Sequence, residues 1–237
     1  MDLICDERAS DSPYVQRIWR SQSEHAGEFL SIAEHHWEMV VTRYQGQTTL
    51  TVRGPETRAT SAYCPAGGDW IGIQFKSGAF MPDFPARMLM DRQDVHLPGA
   101  SSQAFWLKGA AWEFPTYENA DTFVDWLVDD GLLARDPLVG AVLRGERAHA
   151  SSRTLQRRVL RATGLTQGTI DQIKRARYAT TLLKQGVTIL DTVYRAGYTD
   201  QPHMTRSLQR FVGQTPAQIA SQAIINPMSF LFRTDPF

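Results

Sequence analysis

The chain has 237 residues, enough for one large domain or two modest ones. A hydrophobic content of 42% and a charged content of 21% are ordinary for a globular protein, and no apolar run is long enough to span a bilayer. Two cysteines, Cys5 and Cys64, argue against a disulfide framework or a cysteine-based zinc site, so reduced structural thiols are expected.

The balance of 25 Lys+Arg against 25 Asp+Glu hides a division. Residues 136–237 carry 14 basic and 6 acidic residues, a net +8, and residues 1–135 carry the compensating −8. All six tryptophans (Trp19, Trp37, Trp70, Trp106, Trp112 and Trp126) lie in the acidic part. Two different domains account for both facts, and the basic one calls for a polyanionic partner.

The start of the chain, from Met1 to Glu7, lacks the positive charge and apolar core of a signal peptide, so a cytoplasmic location is expected. Residues 29–76 read as strands and turns. Glu38 to Tyr44 is β-rich, Gln45-Gly46-Gln47 is a turn candidate, and Thr48 to Arg53 alternates before Gly54-Pro55 breaks it. Trp70 to Lys76 alternates too, and such short strands suggest a small sandwich or barrel. Residues 77–117 are loop-rich, with Pro82, Pro85, Pro98 and Pro115. A helix is predicted from near Asn119 to Gly131, and Asp136-Pro137 opens the next. The expected division is a β-rich region over 1–130, a helical domain over 131–221 and a tail over 222–237.

Beyond 136 the pattern is helical. Ser152 to Arg161 has apolar positions at helical spacing and ends at Gly164. Thr169 to Gln185 is predicted as a longer helix with Ile170, Ile173, Ala176, Thr180 and Leu183 on one face. Thr188 can cap a helix ending at Gly197. Asp200 can cap another, with Pro202 in its first turn and Met204, Leu208, Phe211 and Val212 on one face. The last pair, joined by Gly197-Tyr198-Thr199-Asp200, has the helix-turn-helix shape. Its outer face carries Gln201, His203, Arg206, Ser207, Gln209 and Arg210, amides and guanidiniums of the kind that bind base edges and phosphates.

The series Ile189, Val193, Ala196-Gly197-Tyr198, Gln201, Met204, Ser207-Leu208, Phe211 and Gly213-Gln214-Thr215-Pro216 resembles the C-terminal signature of AraC/XylS-type transcription regulators. Arg175, Ala179 and Leu182-Leu183 are similar to that family's connecting helix. Ser152 to Arg158 with Thr163-Gly164-Leu165-Thr166 is similar to its first recognition helix. The resemblance covers about residues 150–220. It implies two helix-turn-helix units separated by one long helix, with recognition helices in successive major grooves. Arg153, Gln156, Arg157 and Arg161 on the first helix, and Gln201, His203, Arg206 and Arg210 on the second, are the implied DNA-binding residues. One departure is that the family has two helices before its first recognition helix, whereas here Asp136 to Arg144 alone reads as helical. More weakly, Gly54 to Thr57 and Gly72 to Gly78 are similar to cupin-like sensor halves. The expected fold class is therefore α+β, a cupin-like β-rich barrel or sandwich followed by an all-α helix-turn-helix domain.

The N-terminal half shows no nucleophile, acid–base pair or phosphate loop, and Cys64-Pro65 lacks the Pro-Cys-His-Arg pattern of regulator-linked alkyl-repair proteins. His35-His36, with His25 and His96, invites a metal reading. Adjacent strand residues point to opposite faces, however, and His-x-His is absent, so no metal and no cofactor are expected. The expectation is a non-enzymatic, sequence-specific regulator. Its partners are double-stranded DNA, a partly apolar small-molecule effector at unknown residues, RNA polymerase and a second copy of the chain, with no membrane. A metal-dependent cupin enzyme fused to a DNA-targeting module, and a degenerate helix-turn-helix serving protein interaction, stay open as alternatives.

Overall fold

The computed structural model describes residues 3–91, 95–146 and 150–221. The expected tail over 222–237 lies outside them. The architecture is α+β, an N-terminal region of antiparallel sheets followed by a helical C-terminal region. Among the described residues no helix is long and apolar enough to cross a membrane.

Seven strands come first: β1 (Leu3–Arg8), β2 (Val15–Ser23), β3 (Gly27–Ser31), β4 (Glu38–Tyr44), β5 (Gln47–Arg53), β6 (Thr60–Cys64) and β7 (Asp69–Phe75). Short elements follow: β8 (Ala79–Phe80), α1 (Ala86–Leu89), β9 (Val95–His96), β10 (Ala104–Leu107) and β11 (Ala110–Glu113). The remainder is α2 (Ala120–Asp129), β12 (Ala134–Arg135), α3 (Pro137–Leu143), α4 (Ser152–Thr163), α5 (Gln167–Lys184), α6 (Ile189–Arg195), α7 (Gln201–Phe211) and α8 (Pro216–Ala220).

By packing, the chain forms two compact units, and it passes between them five times. The first comprises residues 1–26, 35–55 and 65–167, and the second residues 27–34, 56–64 and 168–237. The expected boundary near 130 marks a change of sequence texture. Packing groups the chain differently, because β3 and β6 join the helices of the second unit and α3 and α4 join the first.

In the first unit, one antiparallel sheet has the order β1-β2-β7-β4-β5-β9. Its register lines up Ile18, Ile73, Met39, Val52 and Val95 across five strands. The first four are essentially inaccessible, and this row is the floor of the core. Phe123, Val124 and Leu127 of α2 close over it with Phe105 and Phe114. One residue along, the opposite face carries Trp19 beside Gly72, where a Cβ would lie 2.0 Å from the indole, so only glycine leaves room for that ring. The cavity lined by Trp37, Val52, Phe80 and Leu89 measures about 10 Å³, room for a single water at most. Trp19 and Trp37 are buried, whereas Trp106 and Trp126 are about half exposed.

In the second unit, α5 buries Ile170, Ile173, Ala176, Thr180 and Leu183 completely, the face expected from their spacing. The ribbon β3–β6 pairs Phe29 with Ala62 and runs on beyond its strands. There the Ala33 amide donates to the Phe211 carbonyl (2.8 Å) and the Ala59 amide to the Arg210 carbonyl (2.8 Å). These are carbonyls of the last turn of α7, which the helix itself cannot satisfy. Arg177 of α5 donates to the Ala33 carbonyl and forms an ion pair with Glu34 at 3.2 Å.

Candidate nucleic-acid interface

The helix pair α6–α7 is built from local signals. The Thr188 hydroxyl accepts from the Asp191 amide (3.1 Å), and the Asp200 carboxylate accepts from the His203 amide (2.6 Å). Each cap satisfies an amide of a first helical turn. Met204, Leu208 and Phe211 of α7 are buried, together with Val212 beyond its end, which fixes the opposite face outward. Gln201, Arg206 and Arg210 stand exposed on it with Gln209. His203 is only partly exposed, its ring edge-on to Tyr198 at 5.1 Å. Ser207 is half-buried and shares a hydrogen bond of 2.9 Å with the Tyr198 hydroxyl.

Tyr198 and Arg175 add to this face something that sequence reasoning assigned only to motif positions. Burial pushes the Tyr198 hydroxyl up, against the smaller opposing influences of its bond to Ser207 and of Arg175, so the phenol stays neutral. The Arg175 guanidinium stacks over its ring at 5.6 Å. The Arg175–Tyr198–His203 cluster braces the turn before α7 and holds a cation beside it.

α4 is preceded by α3, whose first turn carries Pro137 and whose cap is Asp136. Asp136 also grips Arg158 of α4 through two contacts of 2.6 and 3.0 Å, so one carboxylate caps one helix and orients the next. Among the described residues, α3 is the one helix between residue 131 and α4, as the departure from the family pattern implied. The Ser151 hydroxyl accepts from the Thr154 amide (3.2 Å) at the start of α4. At its end Gly164 adopts φ +74°, and a Cβ there would come within 2.9 Å of the Ala86–Arg87 backbone. The close seating of α4 on α1 therefore requires glycine.

Arg153, Gln156, Arg157 and Arg161 are all exposed on α4. The structure divides them. Arg157 and Arg161 line a cleft with residues of α1, β8 and β12, and Arg161 lies over the Phe80 ring at 5.8 Å, whereas Arg153 and Gln156 are not part of that lining.

The expected opposite orientation of His35 and His36 does not hold. They occupy a bend rather than a strand, and their rings lie 3.9 Å apart at 42°. Strand alternation applies only where the backbone is extended. His96, in turn, is bonded through Nδ1 to the Thr51 hydroxyl at 2.8 Å.

A protein-family model described as a helix-turn-helix domain matches residues 145–222. The match takes in α4 to α8 and supports an AraC-type DNA-binding domain and, with it, a DNA-binding transcription regulator. Neither a curated protein nor a solved structure matches the chain.

Proposed function

We propose that this helix-turn-helix protein is a sequence-specific transcription regulator in which α7 and α4 read DNA and the N-terminal β-rich region regulates them without catalysis. The observation that carries the reading is α7. It is a capped helix clamped on its inner face and at its C-terminal carbonyls, with Gln201, Arg206 and Arg210 presented outward. Rigid presentation of amides and guanidiniums is what groove readout requires. α5, 18 residues long, extends about 27 Å at 1.5 Å per residue and follows α4 along the chain before the α6–α7 pair. The sensor half, cupin-like in segments of its sequence, answers a small molecule or a partner. Such a ligand acts by binding one arrangement of the protein better than another. RNA polymerase and a second copy of the chain complete the partners of this reading.

The test is binding of the full chain to duplex DNA across a salt series. Each neutralised phosphate releases counterions, so a protein contacting six or more phosphates loses roughly 10³-fold or more in affinity between 50 and 200 mM salt. A flat salt response, or no binding at low salt, overturns the reading.

A further inference from the structure

The cleft beside α4 has a composition that DNA binding alone does not require. It measures about 980 Å³, at the upper end of ordinary ligand pockets. Five guanidiniums line it (Arg87, Arg135, Arg157, Arg158 and Arg161) against one carboxylate, Asp136. That carboxylate is already engaged by Arg158. Nε of Arg135 is buried and has no hydrogen-bond partner among the described residues. The remaining wall is apolar, with Phe80, Met81, Pro82, Pro85 and Leu160, the last 48% exposed.

Like charges gathered around a concavity repel one another, and a buried donor left unmade is costly. The repulsion is relieved by an anion that guanidiniums can grip bidentately. The apolar wall specifies what the anion is attached to. We propose that this cleft binds a small molecule with a carboxylate head and an apolar body, and that the ligand competes with DNA for Arg157 and Arg161. The competition follows from shared donors, because a guanidinium engaged by a carboxylate in the cleft is withdrawn from phosphate or base. The competition rests on the DNA-binding reading above, whereas ligand binding itself does not.

Octanoate serves as the probe and octan-1-ol, the same chain without charge, as its counterpart. Titration calorimetry of the full chain should give saturable octanoate binding at least tenfold tighter than that of octan-1-ol. Arg135→Gln and Arg87→Gln should each weaken octanoate about tenfold while leaving DNA affinity in its absence unchanged. Leu160→Glu, at a half-exposed position that tolerates charge, should weaken octanoate by a similar factor. Saturating octanoate should lower DNA affinity at least threefold. Absence of saturable binding, or octanoate binding that matches octan-1-ol and ignores all three substitutions, overturns the site. Octanoate binding that leaves DNA affinity unchanged overturns the competition. A chain that binds octanoate as expected but never binds DNA upholds the site and overturns the regulator reading instead.

Discussion

The two helices proposed to read DNA, α4 and α7, share a local design and differ in what surrounds them. Each has an oxygen-bearing N-cap, Ser151 or Asp200, and a glycine at positive φ shortly after its end, Gly164 (+74°) or Gly213 (+79°). α7 is held from behind: its inner face is buried and its last carbonyls are satisfied by amides flanking the β3–β6 ribbon. Its outer arginines, Arg206 and Arg210, are not among the residues that line the cleft beside α4. α4 is held from the side, seated on α1 and gripped by Asp136, and two of its four expected DNA-binding residues line an arginine-rich cleft. On the proposals above, α7 is dedicated to one polyanion, whereas α4 is divided between DNA and a second anionic partner. Packing around the motif, rather than the motif itself, decides which.

The largest expected effect tests the support of α7. Leu208 is fully buried, so Leu208→Ala should destabilise the protein by about 2–5 kcal/mol through lost transfer energy and a cavity. Urea unfolding followed by circular dichroism measures this. An effect below 1 kcal/mol would show that the ribbon, not the inner face, holds the helix.

A smaller effect separates the two helices in function. Arg206→Ala should cost about 1–3 kcal/mol on the preferred sequence and relax discrimination at one base position, as loss of a bidentate base contact does. Arg157→Ala should reduce both DNA and octanoate affinity if its guanidinium serves both as proposed. Competition binding with single-base variants of the preferred duplex is the measurement. If Arg206→Ala weakened every duplex equally, that side chain would be a phosphate contact instead.

The smallest effects test whether the two caps are equivalent. Asp200→Ala and Ser151→Ala should each cost about 1 kcal/mol of stability, the usual value of an N-cap. Thermal unfolding of the two variants side by side checks this. A much larger loss for Asp200 would mean that the cap also holds the turn braced by Tyr198 and His203.

The helix-turn-helix was legible in the sequence because its determinants are local. Capping oxygens, glycines past the helix ends and apolar spacing along α5 and α7 each act within a few residues. The strands at 38–44, 47–53 and 69–75 were legible for the same reason, since alternation is a property of the segment. β2 was not. Arg17 and Arg20 interrupt its apolar pattern, yet Val15, Ile18, Trp19, Ser21 and Ser23 are buried there. In α6 residue type is no guide to burial: the apolar Leu190 and Tyr194 are 74% and 87% exposed.

By itself the sequence determined the α+β class, the charge division, the caps and inner faces of the recognition helices, and the residue types offered to DNA, because these depend on composition and on neighbours one or two turns away. Only the tertiary structure decided that residues 27–34 and 56–64 pack with the C-terminal helices, that Asp136 orients α4, that the rings of His35 and His36 lie 3.9 Å apart, and that arginines from three separate segments line one cleft. Each of these joins groups through the packed fold or at a bend where strand periodicity breaks down, and no local pattern encodes which of them meet.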